Sequence, residues 1–291
     1  MSFALIAALL APLFGSLVNT LDKFIVSKRV RTPASFTVIA GAVNLMIGII
    51  MAMCLDWSKY GFGSYVYAII AGVIMGAEYY LYYYALRKED ASSVIGFIYF
   101  YPVMVSILSF LFLGELLSWT SYVGMALVLV GVMLLVIRLK RHHSKIKVAM
   151  IFSMIAVISL ITFFAKLSTD ILPEFNSAAV YSICVGLTIM LGLFSRKIRK
   201  GLKYEVRNFN WSMLVESLTV VAAVMSFFAL GGLPATVVSV IAASQPLMVL
   251  FIETGMVKFG LIKSRDHKIL PKLLSIMLIV VGIILMYSQE L

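Results

Sequence analysis

The sequence predicts an all-α integral membrane protein: ten transmembrane helices built as two inverted five-helix repeats. Three observations carry this. The chain has 291 residues, 62% hydrophobic and only 13% charged, with mean hydropathy +1.05. That is far too little charge to cover a soluble surface of this size. Apolar runs of about 20 residues, the length that crosses a bilayer core of about 30 Å, recur from end to end. Finally, "YYYALRKEDASSVIGFIYFYP" at 82–102 and "SFFALGGLPATVVSVIAASQP" at 226–246 share one frame.

The runs are continuous and lack period-2 alternation. In lipid each backbone group needs an internal partner, so they read as helices. The spans are 3–26, 34–55, 64–86, 91–112, 118–138, 147–168, 176–194, 210–230, 235–257 and 269–287. The first begins without the basic region of a signal peptide and is kept as a spanning helix. Polar residues recur at helical spacing and give single stripes. Span one carries Ser16, Asn19 and Lys23, and span two Thr37, Gly41, Asn44 and Gly48. Span six carries Ser159, Thr162 and Lys166, and span seven Ser177, Tyr181, Cys184 and Thr188. Span eight carries Ser212, Glu216, Thr219 and Ala223. Such stripes either wet a cavity or pack helices against each other.

The net charge of +11 does not mark nucleic-acid binding, because the cations sit in short loops and not on one amphipathic face. Twenty-one of the 24 Lys and Arg fall in or beside loops 1–2, 3–4, 5–6, 7–8 and 9–10. Only Lys59 lies on the opposite side. The positive-inside rule then makes the basic loops cytoplasmic and turns both termini outward, in a multi-pass protein of the cell membrane. Cys54 and Cys184 sit in apolar stretches without disulfide or metal spacing.

The quoted stretches align without a gap at an offset of 144. Ala85, Leu86, Ala91, Val94, Pro102, Met104 and Val105 match Ala229, Leu230, Ala235, Val238, Pro246, Met248 and Val249. Lys23 matches Lys166 at an offset of 143. The domains are therefore 1–144 and 145–291. Five is odd, so the second copy enters the membrane upside down, about a pseudo-two-fold axis in the membrane plane. "RKED" then faces the cytoplasm and its counterpart "GGLP" the outside, where positive charge is disfavoured.

This order resembles the drug/metabolite transporter superfamily, in its EamA-like branch. The resemblance rests on "YYYALRKEDASSVIGFIYFYPVMVSILSFLFLGELLS" and "GMALVLVGVMLLV", most specifically on Ala85, Leu86, Ala91, Ser92, Pro102, Leu113, Gly114 and Glu115. It covers essentially the whole chain, strongly in spans three to five and nine to ten. The second half departs from the pattern, because Phe259 stands opposite Glu115. The resemblance implies a membrane transporter, and in that superfamily both termini commonly lie inside.

Pro102 and Pro246 each come eleven residues after the matched Ala91 and Ala235, or about 16 Å deep at 1.5 Å per residue. Two helix bends there would flank a midplane cavity, the place where inverted-repeat transporters bind substrate. The substrate-binding candidates are Ser16, Asn19, Asn44, Tyr79, Tyr82, Tyr99, Pro102, Thr162, Tyr181, Thr219, Gln245 and Pro246. Tyrosines near Tyr84 suit an interfacial belt, while Tyr79, Tyr82 and Tyr99 lie deeper. Such a wall suits amino acids, aromatic metabolites or cationic drugs. Charges in the membrane are costly unless they face water or a partner. Glu78 and Glu216 are therefore the candidates to carry a coupling proton; the alternative is a pairing with Lys23 or Lys166. Asp22, Lys23, Lys166 and Glu253 read as helix-end residues that snorkel.

The function expected is a secondary-active exporter of small metabolites, amino acids or related compounds, working by alternating access. The alternatives are a sugar or nutrient uptake permease, a membrane-embedded enzyme, or an accessory subunit. His142, His143 and His267 all lie in basic loops and no DxxxD pair occurs, so no catalytic group is expected. No phosphate-cradling loop appears either. The expected partners are a small-molecule substrate and the bilayer, with no metal, no cofactor beyond a coupling proton, no nucleic acid, and the monomer as the default.

Overall fold

The computed structural model describes residues 3–88, 100–139, 148–245, 247–249, 251–252 and 269–287. Among these the fold is helical, with no strand. In chain order the helices are α1 (Phe3–Lys28), α2 (Pro33–Met53), α3 (Val66–Lys88), α4 (Tyr101–Leu108), α5 (Trp119–Leu139) and α6 (Val148–Thr169). They continue with α7 (Glu174–Met190), α8 (Arg196–Glu205), α9 (Phe209–Gly232), α10 (Ala235–Ala243) and α11 (Ile269–Tyr287).

Among the described residues, six helical stretches are long and apolar enough to cross a membrane: Phe3–Val26, Pro33–Met53, Phe62–Tyr84, Phe152–Thr169, Glu174–Phe194 and Arg196–Gly232. Shorter apolar helices lie at Tyr101–Leu113, Trp119–Leu134, Ala235–Val249 and Leu274–Met286. Large side chains stand fully outward, as in the exposed run Phe110, Leu111 and Phe112. Such patches fit lipid as the surrounding solvent.

The helices pack in pairs. α5 lies along α11, α1 along α9 and α2 along α7, while α3 packs on both α6 and α7. α4 meets α6 and α10. The α5–α11 seam is a backbone approach: a Cβ on Gly124 would stand 2.6 Å from the Gly282 carbonyl oxygen. Helices in lipid gain attraction by such closeness, because no hydrophobic effect drives them together.

Three local features depart from the reading of the sequence. α8 is a short basic helix inside what reads as loop 7–8. A search for apolar runs passes over it, because only Ile198 and Leu202, four residues apart, give it an apolar side. The buried Glu205 ends it, accepting from the backbone N–H of Arg31 and Thr32 at 2.9 and 2.8 Å and from Asn208 at 3.0 Å. Those N–H groups stand at the start of α2, where no intrahelical acceptor exists.

The helix expected over 235–257 carries a turn at Ser244, after which helix resumes at Gln245. Ser16 Oγ donates to the Gln245 carbonyl at 3.2 Å there. Among the described residues α4 begins at Tyr101, after a turn at Phe100, so Pro102 lies in its first turn. A missing N–H costs nothing at that position. The expected first part of that span, 91–99, lies outside the described residues.

Candidate functional site: an acidic aromatic cavity

A cavity of about 350 Å³ opens where α4 and α10 meet α1, α3, α6, α7 and α9. α1 contributes Gly15, Val18, Asn19 and Asp22, one helical face at i, i+3, i+4 and i+7. α3 contributes Met75, Glu78, Tyr79 and Tyr82 with the same spacing. α6 gives Ile158, Ile161, Thr162 and Ala165, and α9 gives Thr219, Ala222, Ala223 and Ser226. Tyr101, Tyr181 and Gln245 complete the polar wall.

These positions correspond. The α1 set plus 143 gives the α6 set, and the α3 set plus 144 gives the α9 set. Tyr101 plus 144 is Gln245, both beside a helix break. The chemistry is not duplicated: Asp22 stands opposite Ala165, Glu78 opposite Ala222, and Tyr79 opposite Ala223. The charge belongs to one wall.

Behind that wall runs a hydrogen-bonded network. Glu216, 1% exposed, accepts from Tyr79 at 3.0 Å, from Tyr83 at 3.3 Å and from the Asn44 amide. Asp22, 2% exposed, accepts from Tyr83 at 3.1 Å and from Tyr82 at 3.2 Å. Tyr82 also reaches Asn19 Oδ1 at 3.0 Å. The Tyr83 hydroxyl therefore lies between two carboxyl groups. Glu78, 6% exposed, faces the cavity, and no hydrogen bond or ion pair joins it to a described residue.

Of the residues singled out in the sequence, Asn19, Tyr79, Tyr82, Thr162, Tyr181, Thr219, Gln245 and Glu78 line the cavity. Ser16 lies one residue behind Gly15, bonded to the Pro12 and Gln245 carbonyls. Asn44 and Glu216 stand in the network behind the wall. Pro102 is buried beside Tyr101 but does not line the cavity. Tyr99, Pro246 and Glu253 lie outside the described residues.

Two expectations are corrected. Asp22 does not snorkel: it is buried and engaged by two tyrosines. Lys166 pairs with neither Glu78 nor Glu216; it donates to the Leu230 carbonyl at 2.9 Å and lies 3.0 Å from Asp170. The sequence reading missed Asp22, Tyr83 and Tyr101. The signal for Asp22 was present, three residues after Asn19 on the same face, but the neighbouring Lys23 made it read as a helix end.

Comparison with known proteins sorts this fold. Residues 2–137 match the EamA-like transporter family. That match places the first part of the chain, residues 2–137, with the drug/metabolite transporter superfamily. An uncharacterized protein of Methanocaldococcus jannaschii is 39% identical over 69 residues, 24% of this chain and 50% of that protein. The chain thus spans about half the length of the curated relative that it matches. A solved crystal structure shares the fold with a TM-score of 0.66 at 13% identity, over 98% of this chain and 97% of that one.

Proposed function

We propose that the protein is a secondary-active transporter of the drug/metabolite type, exporting small metabolites, amino acids or related compounds, by alternating access. The observation that carries this is the cavity, lined by residues that correspond at offsets of 143 and 144 and flanked by the start of α4 and the turn at Ser244. A site shared by two halves is what lets them rock around a fixed substrate.

In this reading ten spans form two inverted halves, 1–144 and 145–291. The main helix pairings support it, because they fall into sets that an exchange of halves leaves unchanged. α1 on α9 corresponds to α6 on α3, α2 on α9 to α7 on α3, and α4 on α6 to α10 on α1. α2 on α7, α4 on α10 and α5 on α11 are each their own counterpart.

Coupling falls to the carboxyl groups. Glu216 and Asp22 share the one hydroxyl of Tyr83, which has a single proton to donate. Both contacts are hydrogen bonds only when one carboxyl group brings a proton of its own. The pair thus has the makings of a one-proton store beside the cavity, with Glu78 as the group that faces the substrate. In this reading the protein sits in the cell membrane without metal or other cofactor, basic loops in the cytoplasm and both termini outside.

The test is comparative metabolomics of the medium around cells that overproduce the protein, against cells with Glu78→Gln at equal expression. One or a few metabolites should rise outside only with the intact protein. Depletion of a nutrient from the medium instead would assign uptake. No change in either direction would overturn the transporter reading.

A further inference from the structure

The cavity wall states what charge it accepts. Asp22 and Glu78 line it, and none of the described lining residues is Lys, Arg or His. Asp22 is occupied by Tyr82 and Tyr83. Glu78 is more than nine-tenths buried, faces the cavity, and has no hydrogen bond or ion pair with a described residue. A carboxylate withdrawn from water without a partner is held at a cost that a bound cation removes. The second half carries Ala222 and Ala165 at the corresponding positions. The acids are therefore not a requirement of the repeated framework.

We propose that the cavity takes a small organic ammonium ion, with the Glu78 carboxylate as its counter-charge. The aromatic rings of Tyr79, Tyr82, Tyr101, Tyr181 and Phe227 line the same space. Ring faces attract ammonium groups, and the effect grows when water is excluded. They also give the apolar part of an organic cation a surface that an inorganic ion cannot use. The volume of about 350 Å³ lies within the range of small-molecule sites. An anion would meet carboxyl groups on the wall and no cation to balance them, which discriminates against it.

This inference rests on the transporter reading, and its test is binding, so the two fail separately. The purified full chain in detergent is titrated calorimetrically with four molecules that share one ring: tryptamine, tryptophan, indole-3-acetate and neutral 3-ethylindole. Tryptamine should bind tightest, and indole-3-acetate weakest. Glu78→Gln should weaken tryptamine by about tenfold or more, as loss of a charged partner does, and leave 3-ethylindole unchanged. That unchanged binding reports an intact cavity. Glu78→Asp, which keeps the charge, should retain the order of the four. Replacing potassium by sodium at constant ionic strength should not alter tryptamine binding. Equal affinities, tightest binding of the acid, no binding by any of the four, an unaltered Glu78→Gln variant, or competition by sodium would each overturn the proposal. An exported anion in the metabolomic experiment would remove the cation and leave the transporter.

Discussion

Tyr83 has one proton and two carboxyl groups in reach, 3.1 Å from Asp22 and 3.3 Å from Glu216. It is 1% exposed, withdrawn from bulk solvent. Tyr83→Phe keeps the ring and removes the bridge. The loss should cost about 1 kcal/mol of stability, the size of one net hydrogen bond. It should also alter the proton dependence of export in proteoliposomes while substrate counterflow persists. An unchanged proton dependence would remove the bridge from the coupling. Glu216→Gln tests the other end. Its amide still meets Asn44 and Tyr79 but no longer titrates. Uphill export driven by a proton gradient should be lost, while downhill counterflow should survive. Retained uphill export would move the coupling to another group.

At the scale of elements, the "LGE" motif acquires a physical role. A π-helical turn over Ser109–Leu113 follows α4 and ends at Gly114, whose φ of +65° lies in the left-handed region. Glycine enters that region without the clash a Cβ would make. The turn returns the chain so that both oxygens of Glu115 accept from Ala235 N–H, at 3.0 and 3.1 Å. Ala235 opens α10 behind Pro234, which has no side-chain acceptor to cap it. A carboxylate there meets both the unpaired donor and the positive end of the helix dipole. Glu115→Ala should lower stability by about 1 kcal/mol, read as a reduced Tm of the purified protein, and Glu115→Gln should recover part of it. Gly282→Val places methyl groups into the α5–α11 seam, where a Cβ would already stand 2.5 Å from the Gly124 carbonyl oxygen. About 1–3 kcal/mol of destabilisation is expected from such overpacking, visible in the same melting experiment.

For the whole molecule, the distribution of charge makes a prediction about orientation. Cys54 ends α2 on the side opposite the basic loops, and it is free and exposed. Cys184 lies within α7 and is half-buried. If the basic loops are cytoplasmic, a membrane-impermeant maleimide added to intact cells should label Cys54, and Cys54→Ala should abolish the signal. Labelling only after the cells are broken would invert the orientation and bring the termini inside. The result would also fix which way the acidic cavity exchanges with each face.

Composition, run length and repetition are local properties, and the sequence alone determined what depends on them. The helical membrane fold follows from apolar runs that need internal hydrogen bonds. The candidate residues at i, i+3 and i+4 follow from helical spacing, and Asn19, Glu78, Tyr79 and Thr219 reach the cavity for that reason. Three things waited for the tertiary structure. Asp22 and Tyr83 became partners only when α1, α3 and α9 came together, because their bonds join residues 61 and 133 positions apart. Glu115 found Ala235 across 120 positions. Which carboxyl group has a partner and which faces the cavity alone was likewise settled by packing. A buried charge is defined by its neighbours in space, and in this molecule those neighbours come from helices far apart in the chain.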